Sequence, residues 1–395
     1  MTKPEVLGQL SGLHEMMVDL LQGIPSAEAN ARFHPHLASL SWYLGRCVYR
    51  ELYWVREVLA GDTTLSNRVR HIFSDGDLDT QCAQLPPPDH LLSWAAEVQG
   101  EHLRRLATPS ALPQNALLEN DQLQWFLLQE TARDYESMLS VLLARRLMQT
   151  PDDFRVDEPL QPRQPDETCA EITQGHYRIG SRDEPFAYDN ELPPQAVELS
   201  SYRIAKRPVS NAEYLAFMAD GGYRRTDLWD EAGQGWLETT RSPAPWHWRR
   251  DDGGHWYAIG LNGPMALAAQ EPVSGINQHE ARTYAAWSAS LGGPLSGAIL
   301  QHEYQWEVAA RSGLIEGTGR VWEWCANPFH LYTDFTPFPD STVSQVQFDN
   351  EKASLRGTSL HTQRCLRRAS YRHFSEPDQR HLNAGFRLVL PPESS

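Results

Sequence analysis

The sequence predicts a multidomain α+β protein, with a four-helix bundle over residues 1–150 and an irregular α/β domain over residues 173–395. Three observations lead to this prediction. The chain has 395 residues, which is enough for two hydrophobic cores. Apolar residues recur at helical spacing in the first part, whereas short β-like pieces and long loops follow in the second. A proline-rich, acidic segment, residues 151–172, separates the two parts and is expected to be a linker.

The first 150 residues carry four segments with helical periodicity. These segments are 5–22, 37–60, 89–106 and 121–148. Turn-forming residues interrupt the pattern between them, as in "LAGDTTLSN" and "QLPPPD". Four long amphipathic helices joined by connections of modest length are typical of a four-helix bundle.

The second half contains short strands and two clear helices. The predicted strands are "HYRIGS", "AVELSSYRIAKRPVS", "HWYAIGL", "ASLRGTSL" and "GFRLVL". The predicted helices are "SNAEYLAFMADGG" and "NQHEARTYAAWSASLGG". Ser210 or Asn211 is suited to cap the first of these helices, and Gly221 lies near its end. Loops as long as those between these elements are usually functional or held by specific packing.

Composition excludes several classes of function. The net charge of −16 makes a surface that follows nucleic-acid phosphates an unlikely feature, so no nucleic-acid partner is expected. The sequence contains no run of 18 apolar residues, so no membrane span is predicted. The N-terminus lacks the apolar core of a signal peptide, and a cytoplasmic location is expected. The five cysteines are dispersed and predict neither a disulfide framework nor a cysteine zinc site.

Two acidic residues raise a question about the fourth predicted helix. Glu130 and Asp134 are four residues apart and therefore share one helical face, with Glu136 close by. Like charges on one face repel each other unless a cation lies between them. A metal ion, an arginine or only solvent could balance them. Carboxylate ligands alone would favour Mg²⁺, Ca²⁺ or Mn²⁺. No histidine is assigned to a metal, because the 15 histidines include no pair four residues apart.

The second half resembles the formylglycine-generating-enzyme-like fold, which is related to the C-type lectins. The motifs "EPVSGINQHEARTYAAWSA", "LQHEYQWEVAARSG", "GRVWEWCANPF", "LRGTSL" and "NAGFRLVL" occur in the order typical of that fold, within residues 176–390. With a DinB-like bundle before this domain, the chain is similar to the ergothioneine- and selenoneine-type sulfoxide synthases. The resemblance implies an enzyme that joins a thiol or selenol to the imidazole of a histidine derivative, using iron(II) and O₂. Formylglycine generation itself is not expected, because Cys365 lacks a second cysteine nearby.

The resemblance also implies an iron site, but this chain lacks its ligands. The family binds iron through one histidine of the second helix and two of the fourth. In this sequence the three positions fall on Arg46, Glu130 and Asp134. Since arginine cannot ligate a metal, we expect Arg46 to lie between the two carboxylates and to replace the cation. Exposed, solvated charges and a carboxylate metal site remain the alternatives.

The C-terminal stretch supplies the candidates for ligand binding. The resemblance places substrate contacts in this stretch, where Arg372, Phe374 and Arg380 are the candidates, and Trp324 and Phe329 of the motif at 320–330 could also line a pocket. Its arginines could bind a carboxylate bidentately or form internal salt bridges. Ser375 stands where an acid of the family would meet an ammonium group, so ligands of lower positive charge are expected.

These observations favour a divergent member of the family that lacks iron-dependent catalysis. Its expected ligand is a small zwitterion or carboxylate, or a partner protein, bound in the cleft between the domains. No catalytic residue, metal or cofactor is assigned. One alternative is an active Fe(II)- and O₂-dependent enzyme that forms C–S or C–Se bonds with iron ligands elsewhere in the chain. The other is a regulatory subunit of an active paralogue, in a homo- or hetero-oligomer.

Overall fold

The computed structural model describes residues 3–74, 76–108, 112–149, 154–182, 186–240, 243–339, 341 and 343–392. The chain divides into two compact units. The first comprises Met1–Gln149 and the short segment Thr362–Leu366, and the second comprises Thr150–His361 and Arg367–Ser395. In the described part of the chain, no helix combines the length and the apolar character needed to cross a membrane.

The four predicted helices of the first unit are present. They are α1 (Lys3–Gln22), α3 (Leu40–Glu51), α6 (Pro88–Ala107) and α7 (Gln122–Gln149). Three short helices occupy the connections, namely α2 (Ser26–Ala29), α4 (Ser66–Phe73) and α5 (Leu78–Ala83). Helices α1 and α3 each pack against α6 and α7, so the four long helices enclose one core. This arrangement confirms the predicted bundle.

Helix α3 combines a defined start with an irregular end. The hydroxyl of Ser39 accepts a hydrogen bond from the backbone N–H of Trp42 at 3.2 Å and so caps the first turn. After Glu51 the helix widens into a π-helical segment, Leu52–Val58. Such wide turns are rare and often occur beside functional sites, because they change the direction of the neighbouring side chains.

The second unit is built from short strands in several small sheets. The strands are β1 (Cys169–Ile172), β2 (Gly175–Ile179), β3 (Gln195–Leu199), β4 (Tyr202–Ala205), β5 (Trp248–Arg250), β6 (Trp256–Gly260), β7 (Gly263–Ala266), β8 (Ile299–Leu300), β9 (Trp322–Pro328), β10 (Ala353–Arg356), β11 (His373–Ser375), β12 (Ala384–Gly385) and β13 (Leu388–Leu390). Two four-stranded sheets have the orders β1-β4-β13-β8 and β11-β10-β9-β12. A two-stranded sheet, β2-β3, and a three-stranded sheet, β5-β6-β7, are also present.

Four helices accompany these sheets, and two of them match the predicted helices. They are α8 (Asn211–Ala219), α9 (Glu231–Thr239), α10 (Gln278–Ser290) and α11 (Glu303–Arg311). The side chains of Ser210 and Asn277 cap α8 and α10, each with a glutamate in a reciprocal capping box. The cap of α8 is therefore Ser210 and not Asn211.

The expected linker is shorter than residues 151–172. Strand β1 lies inside this segment and pairs antiparallel with β4, with Cys169 opposite Ala205. Four residues are too few for a recognisable alternation, and the paired residues of β4 lie 30 to 36 positions further along the chain.

Buried ion pairs hold the loop-rich second unit together. Arg372, Arg356 and Arg387 are almost fully buried and pair with Glu303, Glu307 and Glu323, respectively. Arg387 also donates to the backbone carbonyls of Ala205, at the end of β4, and of Glu316, in the loop after α11. Such arginines satisfy carbonyl groups that regular strands would otherwise pair.

Candidate functional site

The three positions of the expected iron site lie on two packed helices of the first unit. Arg46 is on α3, and Glu130 and Asp134 are on α7. Glu130 and Asp134 are 7% and 4% exposed, whereas the Arg46 side chain is 39% exposed. The carboxylates therefore face the interior, which excludes the alternative of charges on a solvated helix face.

Arg50, and not Arg46, supplies the positive charge between these carboxylates. Its Nη1 donates to Oδ2 of Asp134 at 2.8 Å, and its Nη2 lies 3.5 Å from Oε2 of Glu130. Arg133 donates to the other oxygen of Glu130 at 2.8 Å. Arg46 reaches only Asp134, at 3.9 Å. The predicted bridge by Arg46 is thus wrong by one helical turn, while charge compensation by an arginine is present.

The electrostatics of this arginine–carboxylate cluster follow from its burial. Burial alone would lower the pKa of the Arg50 guanidinium, but the negative charges of Asp134 and Glu130 outweigh that effect and hold the pKa above its usual range. The cluster is a buried, hydrogen-bonded ion network, in which each charge depends on the presence of its partners.

The residues of this cluster do not fit an iron ion. Arg46 and Arg50 have no lone pair for a metal, and the carboxylate oxygens of Glu130 and Asp134 already accept from arginines. Glu136 does not join them, because its Oε2 accepts a hydrogen bond from Thr362 at 2.8 Å. As these side chains lie, they therefore do not form a site for a metal ion.

Three of the predicted ligand-binding residues are part of the core of the second unit. Trp324 and Phe329 are fully buried, and Phe329 stacks on Phe348. Arg372 is 1% exposed and makes two hydrogen bonds of 2.8 Å to Glu303. The burial of these side chains contradicts the prediction that they contact a ligand, because they make packing contacts and ion pairs inside the second unit. Sequence alone does not distinguish a buried arginine from an exposed one in a basic stretch.

Phe374 and Arg380 are the remaining candidates, and both are only partly buried. Phe374 lies on β11, and the Arg380 side chain is 17% exposed. The Arg380 guanidinium lies over the ring of Trp236 at 5.2 Å from its centroid and donates to the carbonyl of Ala244 at 2.9 Å. It is thereby held in one orientation at the edge of the protein interior.

Sequence reasoning missed two features of the bundle. Arg50 lies four residues after Arg46 on the same helical face, and this spacing was the signal that could have identified it. The second feature is a buried group formed by His14, Cys47, Glu51 and His102, which come from three helices. The i, i+4 spacing of Cys47 and Glu51 was its only local signal, because the histidines are distant in sequence.

A helical bundle combined with a loop-rich α/β domain crossed by buried arginine–glutamate pairs defines a protein of the formylglycine-generating-enzyme-like class. The chain belongs to the family of the sulfatase-modifying factor enzyme 1-like domain, which it matches over residues 157–318 and 312–391. The family assignment confirms the resemblance drawn from the sequence motifs.

Relatives of the chain include hercynine oxygenases and formylglycine-generating enzymes. The hercynine oxygenase of Mycolicibacterium thermoresistibile is 29% identical over 249 residues, which cover 52% of this chain and 54% of that protein. The hercynine oxygenase of Mycolicibacterium smegmatis is 26% identical over 420 residues and covers 92% of this chain and 93% of that protein. The match thus spans about half the length of the first relative and nearly all of the second.

The similarity to solved structures is weaker than the similarity in sequence to these relatives. The structure of PvdO from Pseudomonas aeruginosa covers 60% of this chain and all of its own length, at 14% identity and a TM-score of 0.40. The family assignment therefore rests on sequence.

Proposed function

We propose that this chain is a hercynine-oxygenase-like family member without iron-dependent catalysis, and that it binds a small zwitterionic or carboxylate ligand. The observation that supports this proposal is the buried cluster of Arg50, Glu130 and Asp134. Where the family is expected to present imidazoles to iron, this chain presents a guanidinium paired with two carboxylates. No cofactor is expected. Iron(II) is the expected cofactor only under the alternative that the chain is an active enzyme.

The replacement has a physical consequence for the reaction. A nonheme iron site needs neutral nitrogen or carboxylate ligands and open positions for O₂ and substrate. Arg50 is permanently charged, and a cation in the same space would be repelled by it while losing the carboxylates that Arg50 occupies. The side chains of this cluster are suited to rigidify the bundle and not to hold a second cation.

The ligand class follows from the accessible part of segment 373–380. Arg380 carries a guanidinium that can pair with a carboxylate, and Phe374 offers an aromatic face. Ser375 provides a hydroxyl in place of an acid. We infer that the ligand is a carboxylate or a zwitterion without a strongly exposed ammonium group.

Oxygen consumption tests the loss of catalysis. The full chain is incubated anaerobically with Fe(II), then mixed with histidine betaine, a thiol and O₂. We expect O₂ consumption equal to that of a blank without protein, and no coupled product. Turnover above the blank would contradict the proposal and favour an active enzyme with ligands outside this cluster.

A gain-of-function variant tests whether the three helix positions can hold iron once they carry histidines. Arg46→His, Glu130→His and Asp134→His restore the three imidazoles, and Arg50→Gln removes the guanidinium that would otherwise be buried without partners. We expect this fourfold variant to retain more iron per chain than the wild type after desalting. Equal iron content in a folded variant would show that the helix positions are not equivalent to the iron site of the family.

Thermal denaturation tests ligand binding. A ligand at a hundredfold excess over its Kd stabilises the folded state by about 2.7 kcal/mol, which is a readily measured shift in Tm. Histidine betaine, histidine and simple carboxylates are compared on the wild type, on Arg380→Ala and on the control Arg282→Ala, in which a more exposed arginine is lost. We expect Arg380→Ala alone to abolish the shift. If no compound shifts Tm, pairing with a histidine-bearing relative becomes the favoured proposal, and co-expression of the two chains tests it.

A further inference from the structure

Four side chains with metal-binding groups converge inside the first unit, and none of them belongs to the arginine–carboxylate cluster. His14 comes from α1, Cys47 and Glu51 come from α3, and His102 comes from α6. They are 6%, 1%, 1% and 0% exposed, respectively. Cys47 and Glu51 are four residues apart, so both point from the same face of α3 towards the two histidines.

The distances place these groups around one point. Nε2 of His14 lies 2.7 Å from Oε1 of Glu51, and Nδ1 of His102 lies 3.2 Å from Oε2 of the same carboxylate. One ligand atom each from His14, Cys47 and Glu51 all lie within 4.8 Å of one another. Among the residues that the structure describes, no other group of three histidine, cysteine or acidic side chains is as close.

Several of these buried atoms lack a hydrogen bond. Both ring nitrogens of His14, Oε1 of Glu51 and Nε2 of His102 have no partner with hydrogen-bond geometry, although His14 and Glu51 are close enough to form an ion pair. A buried polar atom without a partner destabilises the folded state, so such groups call for an explanation. An ion between these atoms would satisfy His14 and Glu51 together.

We propose that His14, Cys47 and Glu51 bind one divalent d-block cation, with Zn²⁺ the best match to this set of ligands. Imidazole, thiolate and carboxylate are the three side-chain ligands that Zn²⁺ uses in proteins, whereas a thiolate is a poor ligand for Mg²⁺ or Ca²⁺. The negative charges of a Cys47 thiolate and the Glu51 carboxylate neutralise a divalent ion. The buried site is therefore uncharged as a whole, as an apolar interior requires.

The geometry needs only a small adjustment. Tetrahedral Zn²⁺ with bonds of about 2.0–2.3 Å places its ligand atoms roughly 3.3–3.7 Å apart. His14 and Glu51 would separate slightly from their 2.7 Å contact, and Cys47 would move inward. The proposed site lies directly before the π-helical segment that begins after Glu51, and such segments are frequent at functional sites.

The surrounding side chains support the same ligands. His102 contacts the second oxygen of Glu51 through Nδ1 and acts as a positioning residue for that carboxylate. The sulfur of Cys47 receives a hydrogen bond from Nε2 of Gln99 at 3.6 Å, and the hydroxyl of Thr131 lies 3.3 Å from it.

The burial of the site indicates its role. All ligand residues are at least nine-tenths buried, so no substrate can approach the ion, and it differs from a catalytic site in that respect. Because three ligands come from two helices that the ion joins, binding would couple directly to folding of the bundle. The site does not depend on the proposed loss of iron chemistry.

Cobalt(II) is the probe that tests this proposal. Tag-free full-length protein is stripped with a chelator and titrated with Co²⁺, which has a thiolate-to-metal absorption band in the near ultraviolet when sulfur is a ligand. We expect this band to saturate at one Co²⁺ per chain and to disappear on addition of Zn²⁺. Cys47→Ser should lose the band. Cys82→Ser, which alters another buried cysteine of the same unit, should keep it.

The histidines and the folding linkage provide further readouts. His102→Gln should weaken Co²⁺ binding about 10–100-fold but keep the band, as expected for a positioning residue. Zn²⁺ should raise Tm in the wild type and in Cys82→Ser. If Cys47→Ser fails to fold, the wild-type band and a Tm that falls on chelation and recovers with Zn²⁺ still test the proposal.

Two results would overturn it. Absence of the band in folded wild-type protein would mean that His14 and Glu51 form a simple buried ion pair. Persistence of the band in Cys47→Ser would assign the bound cobalt to another cysteine.

Discussion

Arg50 is the residue on which the charge balance of the bundle depends. Its guanidinium contacts both Asp134 and Glu130, and no more than a tenth of any of these side chains is exposed. We therefore expect Arg50→Ala to lower the free energy of unfolding by about 3–5 kcal/mol, since it leaves two buried carboxylates facing each other. Urea denaturation at pH 7 measures this difference.

Arg46 is the matched control for Arg50. It lies on the same helix, but its side chain is 39% exposed and its nearest carboxylate oxygen is 3.9 Å away. Exposed ion pairs contribute about 0–1 kcal/mol, so Arg46→Ala should change stability by no more than that. If both variants lost the same free energy of unfolding, the two arginines would contribute equally to the charge balance, and Arg50 would have no special role.

Glu280 is the residue with the clearest pH signature in the second unit. Burial raises its pKa to about 7, although Arg380 opposes this shift. Because the folded-state pKa lies above the unfolded value of about 4.3, the stabilising contribution is complete below pH 4.3 and is lost as the pH rises through 7. In the wild type, this loss lowers the free energy of unfolding by up to about 3 kcal/mol between pH 4.5 and 8. We expect the loss to be absent in Glu280→Gln.

The test is the difference in unfolding free energy between wild type and variant at pH 5 and at pH 8. Glu280→Gln keeps an oxygen that can accept from the backbone N–H of Asn277, so the helix cap is retained. Glu316→Gln, at an exposed glutamate of the same unit, is the control and should leave the pH profile unchanged. A Glu280→Gln profile parallel to that of the wild type would show that Glu280 is ionised when folded.

At the scale of single elements, helix α3 shows how packing overrides local propensity. Glycine is a poor helix former, yet Gly45 lies within α3. A Cβ atom at this position would lie 2.4 Å from Cζ of Phe73, which is far inside van der Waals contact. We expect Gly45→Ala to destabilise the protein by about 1–3 kcal/mol, although alanine favours the helix itself. Thermal denaturation measures the change.

Gly8 of α1 is the contrasting position. It is exposed, and a Cβ atom there would meet nothing within 4 Å. Gly8→Ala should therefore stabilise the protein by up to about 1 kcal/mol through helix propensity alone. If both alanine variants changed stability in the same direction, close packing of α3 against Phe73 would not explain the glycine at position 45.

At the scale of the whole molecule, acid stability depends on buried carboxylates. Burial alone would raise the pKa of Glu303, but Arg372 outweighs it and holds this pKa at about 2, and Arg368 similarly holds the pKa of Glu191 below its usual range. The folded-state values lie below the unfolded value of about 4.3. The stability they contribute is therefore present above pH 4.3 and is lost as the pH falls towards 2.

The net charge of the chain also lowers its stability in acid. The net charge is −16 at pH 7, whereas protonation of every carboxylate and histidine would leave 35 lysines and arginines and 15 histidines, or +50. Self-repulsion is then greater than at neutrality. We expect the free energy of unfolding to fall steeply between pH 4.5 and 3, measured by urea denaturation at pH 7, 5, 4 and 3. Equal stability at pH 5 and pH 3 would contradict this account of the buried pairs.

The sequence by itself determined the four long helices of the bundle, six of the thirteen strands described in the second unit and the family. Helical periodicity is a local property, so it predicted α1, α3, α6 and α7 within a few residues. It also identified the acidic face of α7, because the spacing of Glu130 and Asp134 depends on one helix alone. Short strands such as β1, β5 and β8 were missed, since two to four residues contain too little periodicity.

Only the tertiary structure decided which side chains meet. Arg50 and Arg46 share a face of α3, and the rotation of α3 against α7 selects Arg50 as the partner of Asp134. His14 and His102 reach Glu51 from helices far apart in the sequence. Burial likewise removed Arg372 from the candidate ligand contacts. Local spacing specifies the face of an element, whereas the neighbours of that face depend on packing between segments that are distant along the chain.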